Sequence, residues 1–456
     1  MMRRALGRLL AAGLALPATA GVAQDEGGNP LHAAVGAPDD LTIHGSIRPR
    51  IEAIDGQFRP DTAPEDELFS IRTALAVEWR PGNFRIGGEL WDVRGYAQNR
   101  DSSVRTGEVN AFEPIQAYVG YDLDDGETSV TAGRFTQDIG ARRFMARQRF
   151  RNSTNTFTGA KVNWTDDTGN SAILFWTMAQ RILPNDAARI RDNEVVLDHF
   201  GTDLQFFGAV LTKDDAIAGG QLEIEGFALL EDDTQRFATT NRQLFTPAIR
   251  LSRAPSSGML DWDVEAAYQT GTARRTDAPS DTQDLRVSAY FLHAGLGYTF
   301  AVDWSPRILL AYDLASGDGG DGQRLTRFDT LFGARRELGP TDLYGLLQRA
   351  NLISPEIRLL AQPGPRLDGY VSVRPAWLED RRDSFAASGV QDASGNSGRY
   401  AGTQVEALAR YAIVPSLIDL EAGGVYLAKG RFLTEAPNAP STGDTVYGYA
   451  NVTFSF

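Results

Sequence analysis

The feature that most constrains this chain is a rhythm of strands joined by connections of unequal length. Runs of about 9 to 12 residues alternate apolar and polar side chains, and each run ends in turn chemistry. Eighteen such runs can be placed, beginning near residues 42, 69, 84, 113, 127, 155, 170, 203, 220, 245, 260, 285, 304, 355, 367, 400, 416 and 444. Every second connection is tight: Arg80-Pro81-Gly82-Asn83, Asp124-Asp125-Gly126, Asp166-Asp167-Thr168-Gly169, Ala254 to Gly258, Ala301-Val302-Asp303, Gln362 to Arg366, and Val414-Pro415. Those between are long, as from Gly95 to Phe112, Asp138 to Thr154, Ser316 to Ser354 and Glu379 to Arg399. A soluble sandwich has no reason to keep short turns on one side and long loops on the other. A closed membrane barrel has, because one mouth is built from turns and the other from loops. The expected fold is therefore all-β: a transmembrane antiparallel barrel of about 18 strands, with short periplasmic turns and long extracellular loops.

The end of the chain shows the pattern most clearly. Val446, Gly448, Ala450, Val452, Phe454 and Phe456 fall on one face, and Thr445, Tyr447, Tyr449, Asn451, Thr453 and Ser455 on the other. Such a strand suits lipid outside and water inside, and a terminal aromatic is common in bacterial outer-membrane barrels. The start of the chain sets the compartment. Arg3, Arg4 and Arg8 precede a short apolar run, Leu9 to Leu16, and Gly21-Val22-Ala23 offers small residues at a cleavage site. Residues 1–23 read as a signal peptide, 24–41 as a periplasmic segment and 42–456 as the barrel. No later stretch approaches the roughly 20 continuous apolar residues of a spanning helix. The chain has no cysteine, and its 45 basic against 59 acidic residues give a formal charge of −14, which disfavours nucleic acid as a partner. The outer membrane of a Gram-negative bacterium is the expected location, with its lipid and lipopolysaccharide as neighbours.

If the apolar face meets lipid, alternation sends the other face into the lumen. That set contains His44, Arg48, Arg50 and Glu52, then Arg72 and Glu78, Arg85 and Glu89, and Lys161. It continues with Glu223 and Glu225, with Asp261, Asp263 and Glu265, and with Arg358, Arg374, Glu406, Arg410, Asp419 and Glu421. Charges of both signs must face water or one another, since a charge in lipid at mid-depth costs several kcal/mol. They either brace the barrel in pairs or, where arginines stay unpaired, line a path for an anion. A basic stretch follows the fifth strand: Gly133-Arg134-Phe135, Gly140-Ala141-Arg142-Arg143-Phe144, then Arg147, Arg149 and Arg151, against the single acid Asp138. It reads as a solvated loop against lipopolysaccharide or as an electropositive mouth that guides a polyanion inward. Alternation alone does not decide the side of Arg134. Leu285 to Phe300 is apolar on both faces, which a bulge would explain.

These residues resemble a known family. Gly133-Arg134-Phe135, Gly140, Arg142-Arg143-Phe144, Phe150-Arg151-Asn152 and Thr156-Phe157-Thr158-Gly159-Ala160-Lys161 follow the order seen in the alginate export family of outer-membrane barrels. Tyr268-Gln269-Thr270-Gly271, Leu310 to Asp318, Phe328 to Leu331 leading to Asp342-Leu343, and Thr445 to Phe456 are similar too, so the resemblance covers nearly the whole mature chain. It implies an eighteen-stranded barrel exporting an anionic polysaccharide through an arginine-lined lumen, with Arg134 in the pore. The path would be lined by Arg48, Arg50, Arg72, Arg85, Arg134, Arg142, Arg143, Lys161, Arg358, Arg374 and Arg410, with Glu52, Glu78, Glu89, Asp263, Glu265 and Glu406 as acidic partners. Periplasmic export partners are compatible with that role. The sequence departs from the family pattern in two places. Gly333-Ala334-Arg335-Arg336 stands where a Pro and a His often follow the Phe-x-x-Leu element, and Asn155 stands where an Arg usually precedes the Phe-x-Gly strand.

Other chemistry finds little footing. His32, His44, His199 and His293 follow no metal-ligand spacing, and no Gly-x-Ser-x-Gly elbow occurs, so no enzyme is expected. Ser316 to Gly322 is rich in oxygen ligands and glycine but matches no calcium repeat. It reads as a surface loop, and calcium is the one cofactor it would suit. Thr341 to Asn351, in the longest loop, has the caps for one or two helical turns of a lid or constriction. Three functions follow: a polyanion exporter, a diffusion porin for small organic anions, and a barrel with no open path that is structural or enzymatic.

Overall fold

A computed structural model describes residues 30–320 and 322–456; residues 1–23, expected as a signal peptide, and the first part of the expected periplasmic segment lie outside the described residues. A short helix α1 (Pro30–Val35) leads into eighteen strands. The first nine are β1 (Leu41–Asp55), β2 (Glu65–Trp79), β3 (Phe84–Tyr96), β4 (Asn110–Leu123), β5 (Thr128–Phe135), β6 (Phe157–Thr165), β7 (Ser171–Ala179), β8 (Leu204–Ile217) and β9 (Gly220–Glu231). The second nine are β10 (Gln243–Arg253), β11 (Leu260–Ala273), β12 (Leu285–Thr299), β13 (Arg307–Ala315), β14 (Leu352–Gly364), β15 (Leu367–Trp377), β16 (Tyr400–Val414), β17 (Ile418–Lys429) and β18 (Thr445–Ser455). Two single-turn helices, α2 (Ala187–Arg191) and α3 (Arg431–Glu435), sit in loops. Arg324–Leu325 adds a two-residue strand parallel to Arg286 and Val287.

Each strand pairs antiparallel with its neighbour, and β1 closes on β18, with Ser46 opposite Ser455 and Ile51 opposite Ala450. The Phe456 carbonyl and amide complete the seam on Gly45 at 2.7 and 2.9 Å. Closure leaves no sheet edge unpaired, which is what lets strands cross a bilayer. The expected closed barrel of eighteen strands is therefore the observed one, and no described helix is long and apolar enough to cross a membrane. The tight turns use the backbone freedom of glycine where it is needed, at Gly82 (φ +63°) and Gly126 (φ +98°). Outward side chains such as Ile51, Leu75, Val119, Leu174, Leu211 and Ile249 are exposed. Trp79, Phe84, Tyr121 and Trp164 gird the short-turn end, and Phe69, Tyr96 and Tyr268 the long-loop end. This is an apolar band between two aromatic belts.

The inside differs from a uniformly polar lumen. Two long-loop segments, residues 136–156 and 325–351, fold into the barrel and pack as a core in its long-loop half. Phe144 of the first loop sits among Phe227, Phe291 and Phe328 at centroid distances of 5.4, 6.1 and 6.4 Å. Leu343, Tyr344, Leu346 and Leu347 of the second pack with Ile54, Phe58, Leu427 and Tyr447. This explains the two apolar faces of β12: Val287, Ala289 and Phe291 face the lumen and are covered by loop side chains. No bulge is involved, because β12 keeps an unbroken register with β11 and β13. In the second loop, Thr341 to Asn351 makes a turn, with the Gly345 amide donating to the Pro340 carbonyl at 3.2 Å, and does not form the expected helical turns.

Candidate functional site

Below the packed loops lies a polar cavity of about 1730 Å³ that reaches the short-turn end. Its lining is divided by charge. Arg48 on β1, Arg72 on β2, Arg85 on β3 and Lys161 on β6 form one wall, while Glu223 on β9 and Asp261 and Asp263 on β11 form the facing one. Most cations on the far side are claimed: Arg250 by Glu223 and Asp263 at 2.5 and 2.8 Å, Arg307 by Asp261, Arg358 by Glu356 at 2.7 Å, and Arg410 by Asp368 at 2.7 Å, while Arg253 lies over Trp262 and, like Arg366, has no ion pair among the described residues. Arg374 is held between Asp313 and Glu356 at 2.8 and 2.7 Å.

The near wall is different. Among the described residues, Arg48, Arg72 and Lys161 have no carboxylate at ion-pair distance. Arg48 donates to the carbonyls of Arg149, Phe150 and Arg151 and to Asn152 Oδ1, at 2.6 to 3.2 Å. The Arg72 guanidinium lies 4.5 Å over Trp91 and reaches only the Arg151 carbonyl, at 3.5 Å. Lys161 donates to Gln137 Oε1 at 2.6 Å and sits 4.7 Å from the Phe135 ring centre. Arg85 has one acid, Asp122 at 3.0 Å, with Ser129 and Thr131 beside it.

The roof of the cavity is the basic loop itself. It lies inside the barrel, neither spread on lipopolysaccharide nor arranged as an outer mouth. Arg143, 3% exposed, pairs with Asp263 at 3.1 Å, with Glu265, and with Glu337 of the second loop at 2.8 Å. Arg142 and Arg149 share Asp138 at 3.0 and 2.8 Å, and Arg147 meets Glu89 at 2.7 Å. Burial pushes the Glu337 carboxyl up, but Arg143 and Arg349 outweigh it and hold it well below the usual carboxylate range. The two loops also pair through their backbones: Phe332 N–H donates to the Phe144 carbonyl at 3.0 Å, and Ala334 N–H to the Arg142 carbonyl at 2.8 Å. A second cavity of about 800 Å³, at the long-loop end near Arg242, Arg275 and Asp329, shares no lining residue with the first.

The matching family model is that for alginate export, and it spans residues 39–446. The chain belongs to the alginate export family. No curated protein matches its sequence. Solved structures share the fold: Pseudomonas aeruginosa OccK9 (OpdG) has 12% identity and a TM-score of 0.59, covering 91% of this chain and 98% of that one. OccK8 (OprE) of the same organism gives 12% and 0.57 over the same shares. P. aeruginosa OpdK, solved with vanillate, gives 12% and 0.56, again over 91% and 98%. All are porin-like outer-membrane barrels, and at this identity they speak for the fold alone.

Within this family member, the expected path residues separate into three groups. Arg48, Arg72, Arg85, Arg142, Arg143, Lys161, Arg358, Arg374 and Arg410 reach the lower cavity, as does Asp263. Arg50 does not: it is locked beside Glu52 and Asp342 at 3.1 and 3.2 Å within the packed half. Glu78, Glu89, Glu265 and Glu406 are buried behind the lining, on Tyr118, Arg147, Arg143 and Arg336 respectively. Arg134 stands apart. It registers with Ala117 and Thr158, whereas Lys161 registers with Thr131 on the lumen side, and it is buried against Glu113 at 2.5 Å and Asp198 at 3.4 Å. The placement in the pore that the family resemblance implied is thus not the one seen: Thr131 faces the lumen and the register runs unbroken to Arg134, which alternation puts on the other face.

The two family departures fall where the loops meet. A Cβ on Gly333 would lie 1.8 Å from the Arg143 carbonyl, so only glycine allows that approach. Asn155 donates to the Phe332 and Ala146 carbonyls at 2.8 and 3.3 Å, tying one loop to the other. The sequence reading missed Arg250 and Asp313, which parity on β10 and β13 would have found. It also missed Arg336 and Glu337, for which a loop offers no periodicity. For a metal, His293, Asp313 and Glu337 bring ligand atoms within 4.8 Å of one another, yet Arg374 holds Asp313 and Arg143 and Arg349 hold Glu337. In the Ser316–Gly322 loop, Asp318 pairs with Arg275 and its amide donates to Asp383 at 2.9 Å. No group of three His, Asp or Glu ligand atoms forms there among the described residues.

Proposed function

We propose that this outer-membrane channel passes an anionic polysaccharide of the alginate type, with the arginine wall of the lower cavity as its track. The observation that carries the reading is the trio Arg48, Arg72 and Lys161, which reach a water-accessible cavity with no carboxylate to neutralise them. A guanidinium keeps its charge and can meet a uronate carboxylate in two places, and a row of cations lets a polymer move from one to the next. Membership of the alginate export family supports the polymer over a small solute. The channel role also supports an assignment as a transporter with no enzymatic step, and the outer membrane of a Gram-negative bacterium as its place.

A second reading, a porin for small organic anions, is favoured by two observations. The inward loops close the long-loop half, and OpdK, of like fold, was solved with vanillate. Single-channel recording in planar bilayers separates these readings from a barrel without a path. Arg48, Arg72 and Arg85 changed together to Glu should reverse anion preference and stop block by oligouronates. Unchanged selectivity would sink the arginine track. Block by a monomeric carboxylate as strong as that by an oligomer would favour the small-anion porin.

A further inference from the structure

The tip of the first inward loop touches a carboxylate that no other group claims. Glu225 on β9 is 4% exposed, and both of its carboxylate oxygens lack a hydrogen-bond partner. Around it stand Glu223 on the same face of β9 and Asp263 and Glu265 on β11. These four acids share two guanidinium groups. Arg250 takes Glu223 and Asp263, and Arg143 takes Asp263 and Glu265. Glu225 is left over.

The nearest group of the loop is a glycine; Arg143 and Arg250 act on Glu225 only at longer range, without a hydrogen bond or ion pair. A Cβ built on Gly140 would lie 2.8 Å from Glu225 Oε1 and 3.5 and 3.6 Å from the two oxygens of Glu223. Three carboxylate oxygens therefore converge within 4 Å of one point beside Gly140. Gly140 and Glu223 also line the lower cavity, with Glu225 just behind them. An ionised carboxylate buried without a partner is costly and draws in either a proton or a cation. With Glu337 and Arg349, which share in the Arg143 network, five acids face three arginines and two negative charges remain, which one divalent cation balances and one proton does not. An all-oxygen donor set selects a hard ion, and calcium tolerates irregular geometry with oxygens at roughly 2.3–2.6 Å.

We propose that Glu225 and Glu223, against Gly140, form a site for a calcium-type divalent cation that pins the first inward loop to the barrel wall. The group of His293, Asp313 and Glu337 is a poorer candidate, since three arginines surround its two carboxylates. Because the pinned loop also carries Arg142 and Arg143, the ion would fix the roof of the lower cavity. The inference does not depend on what the channel carries, so a failure of polymer transport leaves it standing.

The test uses the folded full-length barrel in detergent, stripped with a chelator and titrated with calcium chloride by calorimetry, alongside thermal unfolding. We expect one calcium per chain and a Tm several degrees higher with calcium. Both should be lost in Glu225→Gln, weakened at least tenfold in Glu223→Gln and kept in Asp318→Asn. Heat-modifiable gel mobility checks that each variant is folded; if Glu225→Gln is not, the Glu223→Gln titration decides. No binding at millimolar calcium, or binding that survives Glu225→Gln, overturns the site. Stability that follows pH but not calcium also overturns it, and gives Glu225 a proton instead.

Discussion

The two halves of this lumen are built from the same kind of strand and yet behave as different materials. In the long-loop half, inward positions such as Phe206, Phe227, Phe291 and Tyr447 are covered by loop side chains and fully buried. In the short-turn half, inward positions such as Arg85, Lys161 and Arg307 face a cavity. The first half is a protein core inside a membrane barrel, and the second is a water-accessible channel segment. Arg143 stands at the boundary, joining both loops to the acidic wall. The contrast teaches that a barrel position is lumenal by parity, but what it meets there depends on whether a loop has folded in.

This contrast can be broken most severely at Arg143. Removing it as Arg143→Ala leaves Glu265 buried without its cation, and frees Asp263 and Glu337 of a partner. A loss of about 3–5 kcal/mol is expected in denaturant unfolding, with raised conductance as the roof loosens. A loss below about 1 kcal/mol would mean the boundary is not held there. Next is Gly333→Val, which forces a side chain into the 1.8 Å approach to the Arg143 carbonyl. Overpacking of this kind costs about 1–3 kcal/mol, and the two cavities should become continuous to polyethylene glycols sized by exclusion from the pore.

On the channel side the stability effects shrink while the transport effects grow. Arg72→Gln gives up one long hydrogen bond and a contact over Trp91, at most about 1 kcal/mol. The same change should move reversal potentials toward cations, and a shift in stability with no shift in selectivity would assign Arg72 to bracing. Smallest of all is Arg431→Ala, which breaks an exposed pair with Glu435 at 2.6 Å on a loop. Its unfolding midpoint should stay within about 0.5 kcal/mol of the parent.

Much of the barrel was legible in the chain itself. Strand starts read from alternation fall within four residues of those observed, since side-chain direction in a strand has a period of two and turns carry their own chemistry. The same parity brought Arg48, Arg72, Lys161 and Arg374 to the lumen. It left Arg134 undecided, and there the family resemblance pointed to the pore while the unbroken register puts the residue on the other face; it could say nothing of Arg336, Glu337 or the glycine at 140, which lie on loops without a period. The apolar inner face of β12 looked like a bulge because its covering, Phe144 and Phe328, comes from loops distant in sequence.

The rhythm of strands, tight turns and long loops determined the closed barrel, its eighteen strands and which face of each meets lipid. Those are local properties, written in neighbouring residues. Tertiary structure alone decided that the basic loop folds inward, that it pairs with the second long loop, and that Arg48, Arg72 and Lys161 are left without acids while Arg50, Arg143 and Arg374 are not. Whether a charge is neutralised depends on groups up to hundreds of residues away, brought within a few ångströms only by closure of the barrel and burial of its loops.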